Sequence, residues 1–132
     1  QEYKYKGRVI SLRVDKAELP NGDTAVREVI EHNGGVCVAA ITEDDEVLMV
    51  KQFRYPYMEE IYELPAGKRD GDEEPLICGK RELKEETGAE AGEYLFIGQL
   101  YPSPSYCGEI ISMYVAKDLT FGNKIFNALK NK

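Results

Sequence analysis

The most constraining feature of this chain is a charged run near its middle, Gly67–Ala89, which reads GKRDGDEEPLICGKRELKEETGA. From Glu73 to Thr87 it carries helix signals at both ends: acidic residues and Pro75 in the first turn, no later proline, and Gly88 just past the last residue. Gly79 is the internal flaw, costing about 1 kcal/mol relative to alanine. Within the helix, Glu82, Glu85 and Glu86 fall in an arc of roughly 100° at about 100° per residue. Leu76 and Leu83, a heptad apart, form an apolar stripe beside them, so the acidic arc belongs at the edge of a core.

An arc of glutamates has two readings. It is a solvated helix face, the usual fate of such residues, or it is a set of hard oxygen donors converging on Mg²⁺ or Mn²⁺. Like charges at these spacings repel by about a few tenths of a kcal/mol per pair, which a bound cation would relieve. The formal net charge of −7 points the same way. Duplex nucleic acid is excluded as main partner, since that affinity comes from Lys and Arg neutralising phosphates. A phosphate-bearing substrate would need metal to bridge like charges.

Around this helix the chain reads as one α+β domain over 1–132, too short for two comfortable cores. Residues 3–14 and 24–32 are rich in β-branched and aromatic residues and flank Leu19-Pro20-Asn21-Gly22-Asp23, an Asn-Gly turn, so they predict a hairpin. Val36–Ile41 and Val47–Phe53, joined by a polar turn, predict central antiparallel strands. Ile61–Leu64 is a short extended piece closed by Pro65-Ala66-Gly67. Tyr94–Leu100 and Ile110–Ala116 predict strands on either side of the irregular loop 101–109, and Asn123–Lys132 a short amphipathic helix.

No apolar run reaches the roughly 18 residues of a membrane span, and the N-terminus shows no secretory signal, so a soluble, cytoplasmic protein is expected. Cys37, Cys78 and Cys107 lack paired spacing and are expected as buried free thiols. His32 reads as a plain strand-end residue, which leaves acid/base work to glutamate. Tyr3 and Tyr5 have the flat faces to stack a base, but packing is the better expectation for either.

The run fits G-x5-E-x7-R-E-U-x-E-E-x-G-U, with U apolar or small, at every specified position: Gly67, Glu73, Arg81, Glu82, Leu83, Glu85, Glu86, Gly88 and Ala89. At roughly one in fifteen per residue type, its single-type positions match by chance with odds of about 10⁻⁸. The chain therefore resembles the Nudix hydrolase family. Physical reasons accompany the pattern: Gly67 permits a backbone turn, Glu73 favours the positive helix N-terminus, Arg81 pairs with carboxylates to orient them, and Gly88 ends the helix.

The resemblance implies a Nudix fold, a mixed β-sheet core sandwiched by helices, with an N-terminal β-hairpin extension over 1–33 and the Nudix box over 67–89. It implies Mg²⁺ or Mn²⁺ held by Glu82, Glu86, often Glu85, and the main-chain carbonyl of Ala66. Gln52-Phe53-Arg54, Glu63-Leu64-Pro65-Ala66-Gly67 and Tyr101-Pro102-Ser103-Pro104 look like the ADP-ribose pyrophosphatase branch, with Pro104 where that branch carries a proline. This implies hydrolysis of ADP-ribose, a nucleoside diphosphate sugar, to AMP and ribose 5-phosphate. Arg54 is the implied phosphate clamp, Glu109 a further metal ligand or the general base, with Glu85 and Glu86 the other catalytic candidates. Members of that branch dimerise through the N-terminal region, which makes a homodimer the expectation and Arg27 and Glu28 candidate substrate contacts. Such members continue past this point with a strand and a long helix, whereas here Phe121-Gly122 passes at once into what reads as a helix end, as if a stretch were missing. Alternatives on the same box are hydrolysis of another nucleotide sugar, a dinucleotide polyphosphate or an oxidised nucleoside triphosphate; a non-catalytic nucleotide sensor is the alternative of another class.

Overall fold

The computed structural model describes residues 1–122; the helix expected at 123–132 lies outside the described residues. The chain begins with a three-stranded antiparallel sheet, in the order β1 (Glu2–Lys6), β2 (Ser11–Glu18), β3 (Thr24–Glu31). The hairpin between β2 and β3 turns where the Asn-Gly pair places it: Gly22 sits at φ 85° and donates its N–H to the Leu19 carbonyl at 2.9 Å. Residues 3–14, expected as one strand, are two. The Gly7 N–H donates to the Ile10 carbonyl at 2.9 Å, the chain reverses, and Tyr3 pairs with Arg13. The β-branched pair Val9-Ile10 masks this break in the sequence, because it has strand propensity but lies in the turn.

After β3 the chain enters its main sheet with β4 (Gly35–Ala40), then forms a ribbon from β5 (Val50–Arg54) and β6 (Glu59–Glu63), joined by a 3₁₀ turn at Tyr55–Tyr57. It returns with β7 (Ala66–Lys68), runs into helix α1 (Pro75–Thr87), and finishes with β8 (Ala89–Leu100) and β9 (Ile111–Phe121). The main sheet has the order β7-β4-β9-β8. It is mixed: β4 and β9 are parallel, with Val36 opposite Ser112, and the other pairs are antiparallel.

Val47–Phe53 is therefore not a central strand. The polar turn does reverse the chain, with Leu48 N–H donating to the Ala40 carbonyl at 2.9 Å, but β7 and β9 already occupy both edges of β4. Beyond the isolated Ile41–Val47 bridge, β5 leaves the sheet and pairs with β6 instead.

Helix α1 packs on the face of the sheet carrying Val36 and Val38. Glu74 caps it by accepting the Leu76 N–H at 3.3 Å, Pro75 is its first residue, and Gly88 closes it at φ 72° with its N–H on the Lys84 carbonyl. Gly79 is explained by packing, since a Cβ there would lie 3.2 Å from Val38 Cγ2 and 3.5 Å from Val36 Cγ1. The helix gives up propensity to approach the sheet closely. Leu83 and Cys78 are buried beneath it with Val36, Val38, Ala40, Ala89 and Ala116, while Leu76 is half-buried. Among the described residues this single α-helix covers one face of the sheet. None of their helices is long and apolar enough to cross a membrane.

All three cysteines are free, but only Cys78 is fully buried; Cys37 and Cys107 are half-buried. Burial pushes the Cys78 thiol up to about 12, and its Sγ donates to the Lys68 carbonyl at 3.7 Å, the signature of an inert structural thiol.

Candidate active site

The box closes on itself through Arg81. Its Nε and Nη2 donate to Glu73 Oε1 and Oε2, both at 2.9 Å, and its Nη1 donates to Glu82 Oε1 at 2.7 Å. This fork raises the Arg81 pKa and holds the Glu73 carboxyl at about 2, the side-chain bonds from Arg81 being the main cause. Glu73 thus acts less through the helix N-terminus, the reason expected from sequence, than as an anchor for Arg81 from the loop before the helix. Asp70 N–H steadies it at 3.2 Å.

Arg81 in turn fixes Glu82, whose side chain is 3% exposed. The role of Gly67 follows from that carboxylate. Gly67 lies in β7 and is not among the positive-φ glycines, so it does not serve a special turn. A Cβ at this position would fall 2.0 Å from Glu82 Cδ and 2.1 Å from its Oε1. The glycine is the space the carboxylate occupies.

Among the described residues, Glu82 Oε2 is buried with no hydrogen-bond partner. Leaving a carboxylate oxygen desolvated and unmatched is costly, and an orphaned hard donor of this kind suits a divalent cation. Glu86 is held differently: Oε1 accepts from Gln52 Nε2 and Oε2 from the Ala66 N–H, each at 3.1 Å. Glu85 is exposed, 3.8 Å from Arg81 Nη1. Hence the three glutamates of the arc separate by environment: Glu82 buried, Glu86 half-buried, Glu85 in solvent. Among the described residues, no three acidic, histidine or cysteine side chains lie together as a ready-made metal cluster. The donor chemistry of Glu82, Glu86 and the Ala66 main chain, together with the orphaned oxygen, is what fits Mg²⁺ or Mn²⁺.

Glu109 approaches from the loop before β9. A Cβ on Gly35 would lie 3.0 Å from the Gly67 carbonyl oxygen and 4.0 Å from Glu109 Oε1, so both face the small space in front of Gly35. The loop is pinned to the N-terminal sheet, with Ile30 N–H donating to the Tyr106 carbonyl at 2.7 Å and Gly108 N–H to the Ile30 carbonyl at 2.9 Å. His32 is more than a strand-end residue: its Nδ1 accepts the Gly34 N–H at 3.0 Å and lies 3.4 Å from Glu109 Oε1.

Arg54, at the end of β5, gives Nε and Nη2 to the two oxygens of Glu63 across the ribbon, which raises its pKa. Arg27 and Glu28 sit on β3, exposed, and Pro104 is exposed in the loop; no hydrogen bond or ion pair joins these three to the box among the described residues. Sequence reasoning gave no role to Gln52 or Gly35. Gln52 carried a signal, a carboxamide at an inward position of an alternating strand; Gly35 carried none beyond the Gly34-Gly35 pair.

The NUDIX domain profile matches residues 31–125, which takes in the box, Arg54 and Glu109 and leaves out most of the N-terminal sheet. The chain belongs to the NUDIX family. As a NUDIX protein it is 44% identical over 119 residues to the methanol dehydrogenase activator of Bacillus methanolicus, covering 90% of this chain and 64% of the relative. It is 42% identical over 120 residues to the ADP-ribose pyrophosphatase of Bacillus subtilis (strain 168), covering 91% and 65%. The chain thus spans a little under two thirds of either relative. A solved structure described as an ADP compounds hydrolase superposes with a TM-score of 0.77 at 25% identity, covering 95% of this chain and 70% of that one. The architecture is the NUDIX α+β fold.

Proposed function

We propose that this chain carries the catalytic centre of a metal-dependent pyrophosphohydrolase that cleaves ADP-ribose into AMP and ribose 5-phosphate. The observation that carries the reading is Glu82: a nearly fully buried carboxylate, oriented by Arg81 and given room by Gly67, with one oxygen left unmatched. A carboxylate held in such a place, with hard oxygen donors, is suited to meet a divalent cation. The ADP-ribose pyrophosphatase and ADP compounds hydrolase relatives support the substrate class.

Glu82, Glu86 and the Ala66 main chain, with Glu85 or Glu109, would hold Mg²⁺ or Mn²⁺. When bound, such an ion supplies Lewis-acid charge to the diphosphate and lowers the pKa of an attacking water. Arg81 holds Glu82 in place. Glu109 or Glu85 takes the proton of the water, each being a carboxylate open to solvent beside the box. Arg54 offers its guanidinium to a phosphate oxygen while Glu63 holds the fork in one orientation. The N-terminal sheet, which exposes Tyr5, Val9 and Val26, serves as a homodimer surface and brings Arg27 and Glu28 of one copy toward the substrate of the other, with Pro104 shaping the loop beside it.

The similarity to a methanol dehydrogenase activator favours a second reading, in which the domain acts on a dehydrogenase. The deciding experiment is a panel of ADP-ribose, another nucleotide sugar, a dinucleotide polyphosphate and an oxidised nucleoside triphosphate, with Mg²⁺ or Mn²⁺, products being separated by chromatography. AMP and ribose 5-phosphate from ADP-ribose are expected as the fastest products. Faster turnover of another member reassigns the substrate; tight ADP-ribose binding without AMP makes the domain a sensor; stimulation of a methanol dehydrogenase without turnover of any member selects the second reading.

A further inference from the structure

Gln52 stands at a position where a polar side chain needs a reason. Along β5 the side chains alternate: Val50, Gln52 and Arg54 are turned inward, Lys51 and Phe53 outward. Across the ribbon Gln52 pairs with Ile61, which is also turned inward. Between Val50 and Ile61 an aliphatic residue would give the better packing, whereas a carboxamide is half-desolvated and is tolerated only when hydrogen-bonded.

Its bond goes to the box, Nε2 donating to Glu86 Oε1 at 3.1 Å. The acceptor settles which end of the amide faces the helix, because a carboxylate only accepts. The other oxygen of Glu86 accepts the Ala66 N–H at the same distance. These two donors, one on each oxygen, set the plane of the carboxylate.

We propose that Gln52 is a positioning residue for Glu86: its carboxamide N–H orients the Glu86 carboxylate toward the place where a divalent cation would bind. The ribbon pairs with itself and not with the main sheet, so this bond is a direct tie between β5 and the box helix. Arg54, two residues on and also turned inward, has its Nε and Nη2 engaged by Glu63. The inference rests on the metal-hydrolase reading above.

The test is Mn²⁺ binding to the whole protein, followed by electron paramagnetic resonance in the absence of substrate, for wild type, Gln52→Met and Gln52→Asn. Methionine keeps the length without the donor; asparagine keeps the donor but is a methylene too short to reach. Both variants are expected to bind Mn²⁺ about tenfold more weakly, as lost support of a metal-ligating side chain does. At saturating Mn²⁺ most of kcat should return, with KM for ADP-ribose unmoved and the urea midpoint close to wild type. Wild-type Mn²⁺ affinity in both variants overturns the proposal and leaves the hydrolase reading intact, as does a lowered urea midpoint with unchanged affinity. If the wild-type protein binds no Mn²⁺, the hydrolase reading itself falls and this inference with it.

Discussion

The molecule contains two arginine hubs built from the same parts. In the N-terminal sheet Arg13 pairs with Asp15 and Glu31, and Asp15 keeps one buried oxygen without a partner among the described residues. In the box Arg81 pairs with Glu73 and Glu82, and Glu82 likewise keeps one buried oxygen without a partner among the described residues. What differs is the surroundings. Every fully buried residue described lies at or beyond Gly34, so no part of the first hub touches a closed core. Asp15 keeps 19% of its side chain in solvent against 3% for Glu82. Glu82 also lies in space that Gly67 leaves open, while the core residues Leu83 and Cys78 hold its helix against Val36 and Val38. An arginine fork on carboxylates thus yields a surface clamp in one region and a candidate metal site in the other. Packing makes the difference, since only a dense core fixes a carboxylate well enough for a cation to rely on it.

The sharpest way to break this comparison is to fill the space beside Glu82. Gly67→Ala should lower turnover at least about a hundredfold, or about 2.7 kcal/mol in the barrier, because the new methyl displaces a carboxylate the core cannot relocate. Steady-state rates on ADP-ribose report it, and near-normal turnover would mean that Glu82 moves freely.

A smaller effect separates the hubs by pH. The Glu73 carboxyl, ordinarily near 4.5, is held at about 2 by Arg81. A depressed carboxyl stabilises the fold above its unfolded pKa and loses that contribution as pH falls through the folded value. Wild type should therefore have a higher urea midpoint than Glu73→Gln at pH 7, and the gap should close between 4.5 and 2. A gap that persists at the acid end would show that the carboxylate charge is not what Arg81 uses.

The smallest change is expected in the first hub. Asp15→Asn should leave kcat within about twofold, under about 0.4 kcal/mol of barrier, because among the described residues no hydrogen bond or ion pair joins it to the box. A loss comparable to that of Gly67→Ala would erase the distinction between the hubs.

How far the sequence anticipates all this depends on whether the signal is local. The α1 boundaries were legible because Pro75 and Gly88 act on their own backbone, and the Asn21-Gly22 turn for the same reason. The reversal at Gly7–Ile10 was not, since Val9 and Ile10 speak for a strand that the chain abandons. Nor was the exclusion of β5, which follows from competition for the edges of β4. In the site, the spacing of Glu82, Glu85 and Glu86 gave a shared arc but not its division into buried, solvent-exposed and half-buried carboxylates, since that depends on where the sheet lies.

By itself the sequence determined the box: its residue types, its helix, its family, and the need for oxygen donors in an acidic chain to work through a cation. Such properties are set by neighbours along one helix turn, and spacing carries them completely. Only the tertiary structure decided why Gly67 and Gly79 are glycines, why Arg81 reaches back to Glu73, and that Gln52 supports Glu86 across 34 positions of chain. These depend on how closely α1 approaches β4, β7 and the ribbon. Close approach is a property of volumes packed in three dimensions, which no local pattern encodes.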